Sequence, residues 1–108
     1  MKKEEKWIKI NNALREIKIS NRIHVNCIRL NPTCSDLHNN KIISLCLEFL
    51  KNQIPFMTEA EFIYGGRADL ITLYDKTIYE VMVSETDKSI ENKIKKYPDS
   101  FKIVKVRV

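Results

Sequence analysis

The chain has 108 residues, of which 44% are hydrophobic and 31% charged, with two glycines and three prolines, so it fits one small domain and excludes low-complexity segments. No apolar run approaches the roughly 20 residues that span a bilayer, so we expect no membrane partner. The charged start is unlike a secretory signal, and three cysteines, an odd number, favour reduced thiols. We therefore expect a cytoplasmic protein. The net charge of +5 is unevenly spread, because residues 1–51 and 88–108 are basic whereas residues 52–87 are acidic.

Residues 1–34 are expected to form a basic N-terminal extension, a helix plus a strand, that packs on a core formed by residues 35–108. Trp7, Ile10, Leu14 and Ile17 form one stripe at helical spacing, which predicts a helix over 2–18. Trp7 is expected in the core or an interface, or stacked on a base. The β-branched run 22–30, closed by an Asn-Pro pair, predicts a strand. The extension also carries a basic group that could follow a phosphate backbone or form a solvated face: Lys2, Lys3, Lys6 and Lys9.

The core is predicted to contain two helices and four strands in the order αβββαβ. The first helix covers 36–51, with Ser35 as its N-cap and Thr33 as a competitor, and its broad apolar face predicts burial against a sheet. Hairpin-length connections at Gly65-Gly66 and Asp75-Lys76 make the first three strands antiparallel neighbours, and the last strand can pair in parallel after a helical crossover. The predicted strands cover 56–63, 67–74, 77–84 and 101–108, and the second helix covers 86–97.

Two acidic residues interrupt strands that are otherwise apolar. Asp69 and Glu80 are nearly equidistant from the turn at 75–76, so they are expected to oppose each other on one face of the sheet. Adjacent carboxylates repel unless something compensates, and a divalent cation with a preference for hard oxygen ligands would do so. Glu59 and Glu61 share a face of the first strand and could join them, or could lie in solvent at a sheet edge.

The segments Gly66–Ile71 (GRADLI) and Ile78–Met82 (IYEVM), within the predicted αβββαβ order, resemble the PD-(D/E)xK nuclease superfamily, notably archaeal Holliday junction resolvases and RecB-like nucleases. The resemblance covers about residues 35–108 and implies an α/β (α+β) fold of the restriction-endonuclease-like type, with a mixed sheet flanked by helices. It also implies that Asp69, Glu80 and the backbone carbonyl of Val81 hold Mg²⁺ or Mn²⁺ for phosphodiester cleavage. Glu59 is a further candidate ligand because of its place on the first strand.

The chain departs from that superfamily at the signature lysine, because Met82 stands two residues after Glu80. The lysine normally stabilises negative charge at the scissile phosphate, which methionine cannot do. A lysine of the second helix would have to replace it; Lys88 is the first candidate because it is closest in sequence to the third strand, and the others are Lys93, Lys95 and Lys96. Near the start of the first helix, His38 is a candidate metal ligand, phosphate contact or proton shuttle, or an ordinary surface residue.

Two functions follow from these patterns. The first is a metal-dependent nuclease that cleaves DNA, possibly branched or single-stranded, with Asp69, Glu80, Lys88 and His38 as catalytic residues. Arg67 and Lys95, together with the lysines of the N-terminal extension, would bind nucleic acid. The resemblance implies a homodimer and requires no organic cofactor. The alternative is a catalytically degraded module of the same fold that binds nucleic acid or a protein partner.

Overall fold

The computed structural model describes residues 2–108, which form an α+β fold around one four-stranded mixed sheet. Along the sheet the strands lie in the order in which they occur in the chain; the first two pairings are antiparallel and the third is parallel. The sequence predicted these strand directions correctly, although each strand is two residues shorter than expected, and the first and last helices are five and four residues shorter. The elements are α1 (Lys3–Leu14), a 3₁₀-helix (Ile19–His24), α2 (Asp36–Lys51), β1 (Phe56–Glu61), β2 (Arg67–Thr72), β3 (Thr77–Met82), α3 (Asp87–Ile94) and β4 (Lys102–Arg107).

Helix α2 covers one face of the sheet and begins where the sequence predicts. The Ser35 side chain accepts a hydrogen bond from the backbone N–H of His38 at 3.2 Å, which satisfies one of the free donors at the helix start. The buried stripe of α2 consists of Ile42, Cys46 and Phe49. It packs against three strand residues, Phe56, Leu70 and Val81. This spacing of four and three residues places the three side chains on one side of the helix.

The opposite face of the sheet is covered by α1 and by the end of the chain. Ile17 is fully buried there with Ile71 and Phe101, and Ile10 packs against the same cluster. The prediction that Trp7 lies in the core is wrong, because its side chain is 66% exposed. Helix α1 reaches the core only from its third turn onward, so its first two turns lie beyond the sheet.

Residues 22–30 do not form the predicted strand. Their first part belongs to the 3₁₀-helix, and the rest follows the outer edge of β1 through side-chain hydrogen bonds. Asn26 has a φ of 62°, a left-handed conformation that a strand does not allow, and its side chain accepts from the Phe56 N–H at 3.1 Å. Arg29 Nη2 donates to the main-chain carbonyls of Thr58 and Glu59 at 2.9 and 3.1 Å. The guanidinium therefore satisfies the edge carbonyls that another strand would otherwise pair.

The regular alternation of side chains breaks down where Glu59 faces Asp69 across β1 and β2. Met57 and Ala60 pack in the same cluster, although residues three apart in a regular strand lie on opposite faces. Glu59, between them, has a φ of 49° and drops out of the backbone pairing, which continues on either side of it. In β2 the pairing with β3 stops at Leu70, opposite Tyr79. The sheet is therefore locally irregular at the two acids.

None of the helices in residues 2–108 has the length and apolar composition needed to cross a membrane.

Candidate active site

Asp69 lies where β2 and β3 cease to pair, and its carboxylate takes the place of the missing backbone contact. Its Oδ2 accepts a hydrogen bond from the Val81 N–H at 2.9 Å. The N–H and C=O of one residue in an extended strand point toward the same neighbour, so we expect the Val81 carbonyl to face this gap too. Burial acts to raise the pKa of Asp69, but Glu80, Lys93, Val81 and His38 together outweigh it and hold that pKa below its ordinary value.

Glu80 is fully buried and forms a hydrogen bond with the hydroxyl of Tyr97, which also donates to the main-chain carbonyl of Arg67 at 3.0 Å. A tyrosine hydroxyl carries one proton, so it can donate to only one of these two oxygens at a time. A protonated Glu80 can donate to the Tyr97 oxygen instead, so this arrangement favours the protonated form of Glu80. Burial, and after it the neighbouring Asp69, raise the pKa of Glu80 to about 9 against the opposing effect of Lys93. The two acids therefore differ in protonation at neutral pH, with Asp69 ionised and Glu80 protonated.

Lys93 of α3 contacts both acids. Its Nζ lies 3.2 Å from Glu80 Oε2 and 3.6 Å from Asp69 Oδ1. Partial burial acts to lower the pKa of Lys93, but the attraction of Glu80 and Asp69 prevails and raises it. Its side chain remains 40% exposed, so the ammonium group is both fixed at the acids and open to the surface.

Lys88, the first candidate to replace the signature lysine, is not at the acids. It lies in the first turn of α3, is exposed, and does not line the cavity around Asp69. Closeness in sequence to β3 was a poor guide, because Lys88 lies on the opposite side of α3 from Ile90 and Lys93, which line that cavity. Among the other candidates, Lys96 lines that cavity and Lys95 is exposed outside it. Met82 is buried.

His38 lies at the site, in the first turn of α2. Its Nε2 is 3.2 Å from Asp69 Oδ2, and its Nδ1 is 3.5 Å from the side-chain oxygen of Asn39. The alternative of an ordinary surface histidine is wrong, since the residue is only 6% exposed. The Ser35 cap fixes the start of α2, and with it the position of the ring against Asp69.

Glu59 and Arg67 form the rim of an open cavity of about 350 Å³ that contains Asp69, His38 and Lys93. The Arg67 Nε lies 3.1 Å from Glu59 Oε2. Burial raises the pKa of Glu59 despite that pairing, and Asp69 adds to the effect. The fourth acid considered from the sequence, Glu61, instead pairs with Lys18 at 3.0 Å and does not line this cavity.

Sequence reasoning missed two residues of the site, Tyr97 and Cys34. The sequence around Tyr97 predicts only the end of a helix, and no local pattern shows that the Tyr97 hydroxyl reaches Glu80. Cys34 lines the cavity, and burial followed by the charge of Asp69 raises the pKa of its thiol. The lysines of the N-terminal extension lie on or beside α1, outside this cavity: Lys2, Lys3, Lys6 and Lys9.

The donors that could hold a cation are oxygens, from the carboxylates of Asp69 and Glu80 and the carbonyl of Val81. Within residues 2–108 no group of three or more His, Cys, Asp or Glu side chains is arranged to hold a metal ion. Two carboxylates with a main-chain oxygen still match the preference of Mg²⁺ and Mn²⁺. A cation bound there would compete with Lys93 for the same oxygens and with the proton on Glu80.

Comparison of the chain with protein-family models, with curated proteins and with solved structures finds no match.

Proposed function

We propose that this protein is a metal-dependent nuclease of the PD-(D/E)xK type that cleaves DNA, and that its sheet and flanking helices form a restriction-endonuclease-like core. One observation carries the proposal: Lys93 reaches both Asp69 and Glu80 from α3. A lysine is thus available at the acids although Met82 occupies the signature position. The resemblance further implies a homodimer, which light scattering of the purified chain can check.

In this proposal Asp69, Glu80 and the Val81 carbonyl hold Mg²⁺ or Mn²⁺, with Glu59 at the rim. The bound ion supplies Lewis-acid polarisation of the phosphate and a more acidic water. Lys93 supplies a positive charge to the developing negative charge of the phosphate. His38 fixes the orientation of the Asp69 carboxylate, and Tyr97 fixes that of Glu80, which gives up its proton when a cation binds.

Arg67 has a separate role at the rim of the cavity. Its side chain is 54% exposed, so a phosphate of the bound strand can reach it while its Nε stays near Glu59. An arginine fork suits the oxygens of a phosphate. We propose that Arg67 binds a phosphate next to the one that is cleaved.

A catalytically degraded module is the second candidate function, and the protonated, fully buried Glu80 favours it. In that case Lys93 replaces the cation permanently, and the cluster only stabilises the fold. This alternative predicts no cleavage of any nucleic acid with Mg²⁺ or Mn²⁺, and no rise in melting temperature when either ion is added.

The test is cleavage of labelled single-stranded, duplex and branched DNA with Mn²⁺ or Mg²⁺ by the parent and by a matched pair of lysine variants. Lys93→Met should lower the rate by about 10²–10³, the range for losing one group that stabilises the transition-state charge. Lys88→Met removes an equal charge from the same helix, away from the acids, and should change the rate by less than about threefold, as expected for an exposed charge.

The acids are tested in the same assay with Asp69→Asn and Glu80→Gln, which should abolish cleavage while circular dichroism shows a folded protein. The nuclease proposal is rejected if the parent cleaves none of the substrates. The role of Lys93 is rejected if both lysine variants lose activity equally, or if neither does.

A further inference from the structure

Tyr64 projects from the turn between β1 and β2 with 92% of its surface exposed. The turn that carries it is anchored on both sides. Phe62 is buried against the rings of Tyr97 and Phe101, with centroids 5.4 and 5.3 Å away, and the Ile63 N–H donates to the Glu16 carbonyl at 2.9 Å. An exposed aromatic ring is therefore held on a fixed backbone, which reduces the entropy that a contact with it would cost.

The other end of this turn is packed against the end of α3. Gly66 has a φ of 86°, and a Cβ added there would lie 3.2 Å from the Tyr97 ring and 3.3 Å from the Lys96 side chain. The position of Tyr64 relative to α3 is consequently fixed by close contact. Tyr97 is also the residue that holds Glu80, so the turn and the acids share one support.

A groove of about 510 Å³ runs between this turn and the chain segment that follows α3, and Tyr64 lies along it. Lys96 lines both this groove and the cavity of Asp69, and Gly66, in the same turn as Tyr64, lines that cavity too. The groove is therefore adjacent to the acids, and a chain leaving them past Lys96 would meet the Tyr64 ring.

We propose that this groove binds an unpaired segment of a nucleic acid strand, with one base stacked on Tyr64 and the backbone near Lys95 and Lys96. Every base has a face that can stack on an aromatic ring, so such a platform tolerates any sequence. A base within a duplex is already stacked on both faces, so only an unpaired base can use the ring. The inference rests on the proposed nuclease function and gives its substrate class: DNA with unpaired nucleotides beside the cleaved phosphate.

The charges that line the groove indicate that stacking on Tyr64, not attraction of phosphates, distinguishes unpaired from paired strands. Lys95 and Lys96 line it together with Glu16 and Asp99, so two positive charges are balanced by two negative ones. Attraction of phosphates, which does not distinguish one kind of strand from another, is thus weak in the groove itself. The aromatic ring is the feature that separates unpaired from paired substrate.

The experiment measures binding without catalysis, by fluorescence anisotropy in EDTA with a labelled oligothymidylate of about 12 nucleotides and a duplex of equal length. Tyr64→Ala should weaken binding of the single strand by about fivefold to 150-fold, the effect of losing one stacked base, and change duplex binding by less than about twofold. Tyr64→Phe keeps the ring and should bind like the parent. Ile19→Ala removes another exposed apolar side chain, outside the groove, and should have no effect.

Either of two results would overturn the inference: a parent protein that binds the single strand no more tightly than the duplex, or a Tyr64→Ala variant that loses both equally or neither. These outcomes are separate from those of the nuclease test. Selective binding lost in Tyr64→Ala supports the groove even if no DNA is cleaved, whereas cleavage without that selectivity removes the groove and leaves the nuclease proposal standing.

Discussion

Replacing Glu80 with glutamine should stabilise the fold at neutral and alkaline pH. Burial raises the pKa of Glu80 from an ordinary value of 4.5 to about 9, so between these two values the folded state binds a proton that the unfolded state has released. The free energy of unfolding therefore falls as the pH rises through that window. Glutamine does not titrate, and its amide can form a hydrogen bond with the Tyr97 hydroxyl in place of the protonated acid.

The size of the effect follows from the distance between pH 7 and the unfolded-state pKa. Each pH unit corresponds to about 1.4 kcal/mol, so keeping Glu80 protonated at pH 7 costs the parent about 3 kcal/mol that the variant does not lose. At pH 4.5 and below both states of the parent hold the proton, and this difference vanishes. For a domain of this size, about 3 kcal/mol corresponds to a rise in melting temperature on the order of 10 °C.

Urea denaturation followed by circular dichroism, in EDTA at pH 4.5, 7 and 8.5, measures the difference directly. Asp69→Asn is the matched control, because the pKa of Asp69 is held below its ordinary value and its charge stabilises the fold above that value. That variant should be less stable than the parent at pH 7. If Glu80→Gln is equally destabilised at pH 7, or if its advantage does not grow with pH, Glu80 is ionised in the folded protein and the reasoning fails.

Two further predictions concern the backbone that supports the site. Gly66→Ala should destabilise the fold by about 1–3 kcal/mol, because the new methyl group would press on the Tyr97 ring from a left-handed backbone conformation. Gly65→Ala has open space around the new methyl group and should lower the free energy of unfolding by less. Equal losses of the two variants in urea denaturation would contradict the close packing at Gly66. Ser35→Ala should lower the free energy of unfolding by about 1 kcal/mol, because it removes the N-cap of α2. The Thr33 hydroxyl forms a hydrogen bond with the preceding loop instead, so Thr33→Ala should have a smaller effect. The reverse order would show that Thr33 is the cap.

The sequence predicted the core well because its elements carry local signals. Helix α2 has a cap and a stripe of apolar residues, and the turns at Gly65-Gly66 and Asp75-Lys76 are short enough to determine antiparallel pairing. The prediction of a strand at 22–30 is wrong because β-branched content gives only the local propensity of a segment. It does not show whether a neighbouring strand edge is available for backbone pairing. Arg29 satisfies the edge of β1 with its side chain, and nothing in the local sequence reveals that contact.

The site was predictable in part, for a related reason. The observed register, with Leu70 opposite Tyr79, extends to Asp69 opposite Glu80, and the sequence approximates it because the two acids are nearly equidistant from the turn. Lys93 follows Ile90, the buried residue of α3, by three positions, so both lie on one side of the helix and helical spacing favours Lys93 over Lys88. The contact between Tyr97 and Glu80 joins residues 17 positions apart, and no local spacing indicates it.

The covering of β1 by Arg29 and Asn26 bears on how this protein resists aggregation. An open sheet has two borders at which a foreign strand could add, and here the first is closed by side chains. The second is β4, where Lys102, Lys105 and Arg107 are exposed. Cationic side chains along a border disfavour the stacking of identical copies, so growth of fibrils by strand addition is opposed sterically on one side of the molecule and electrostatically on the other.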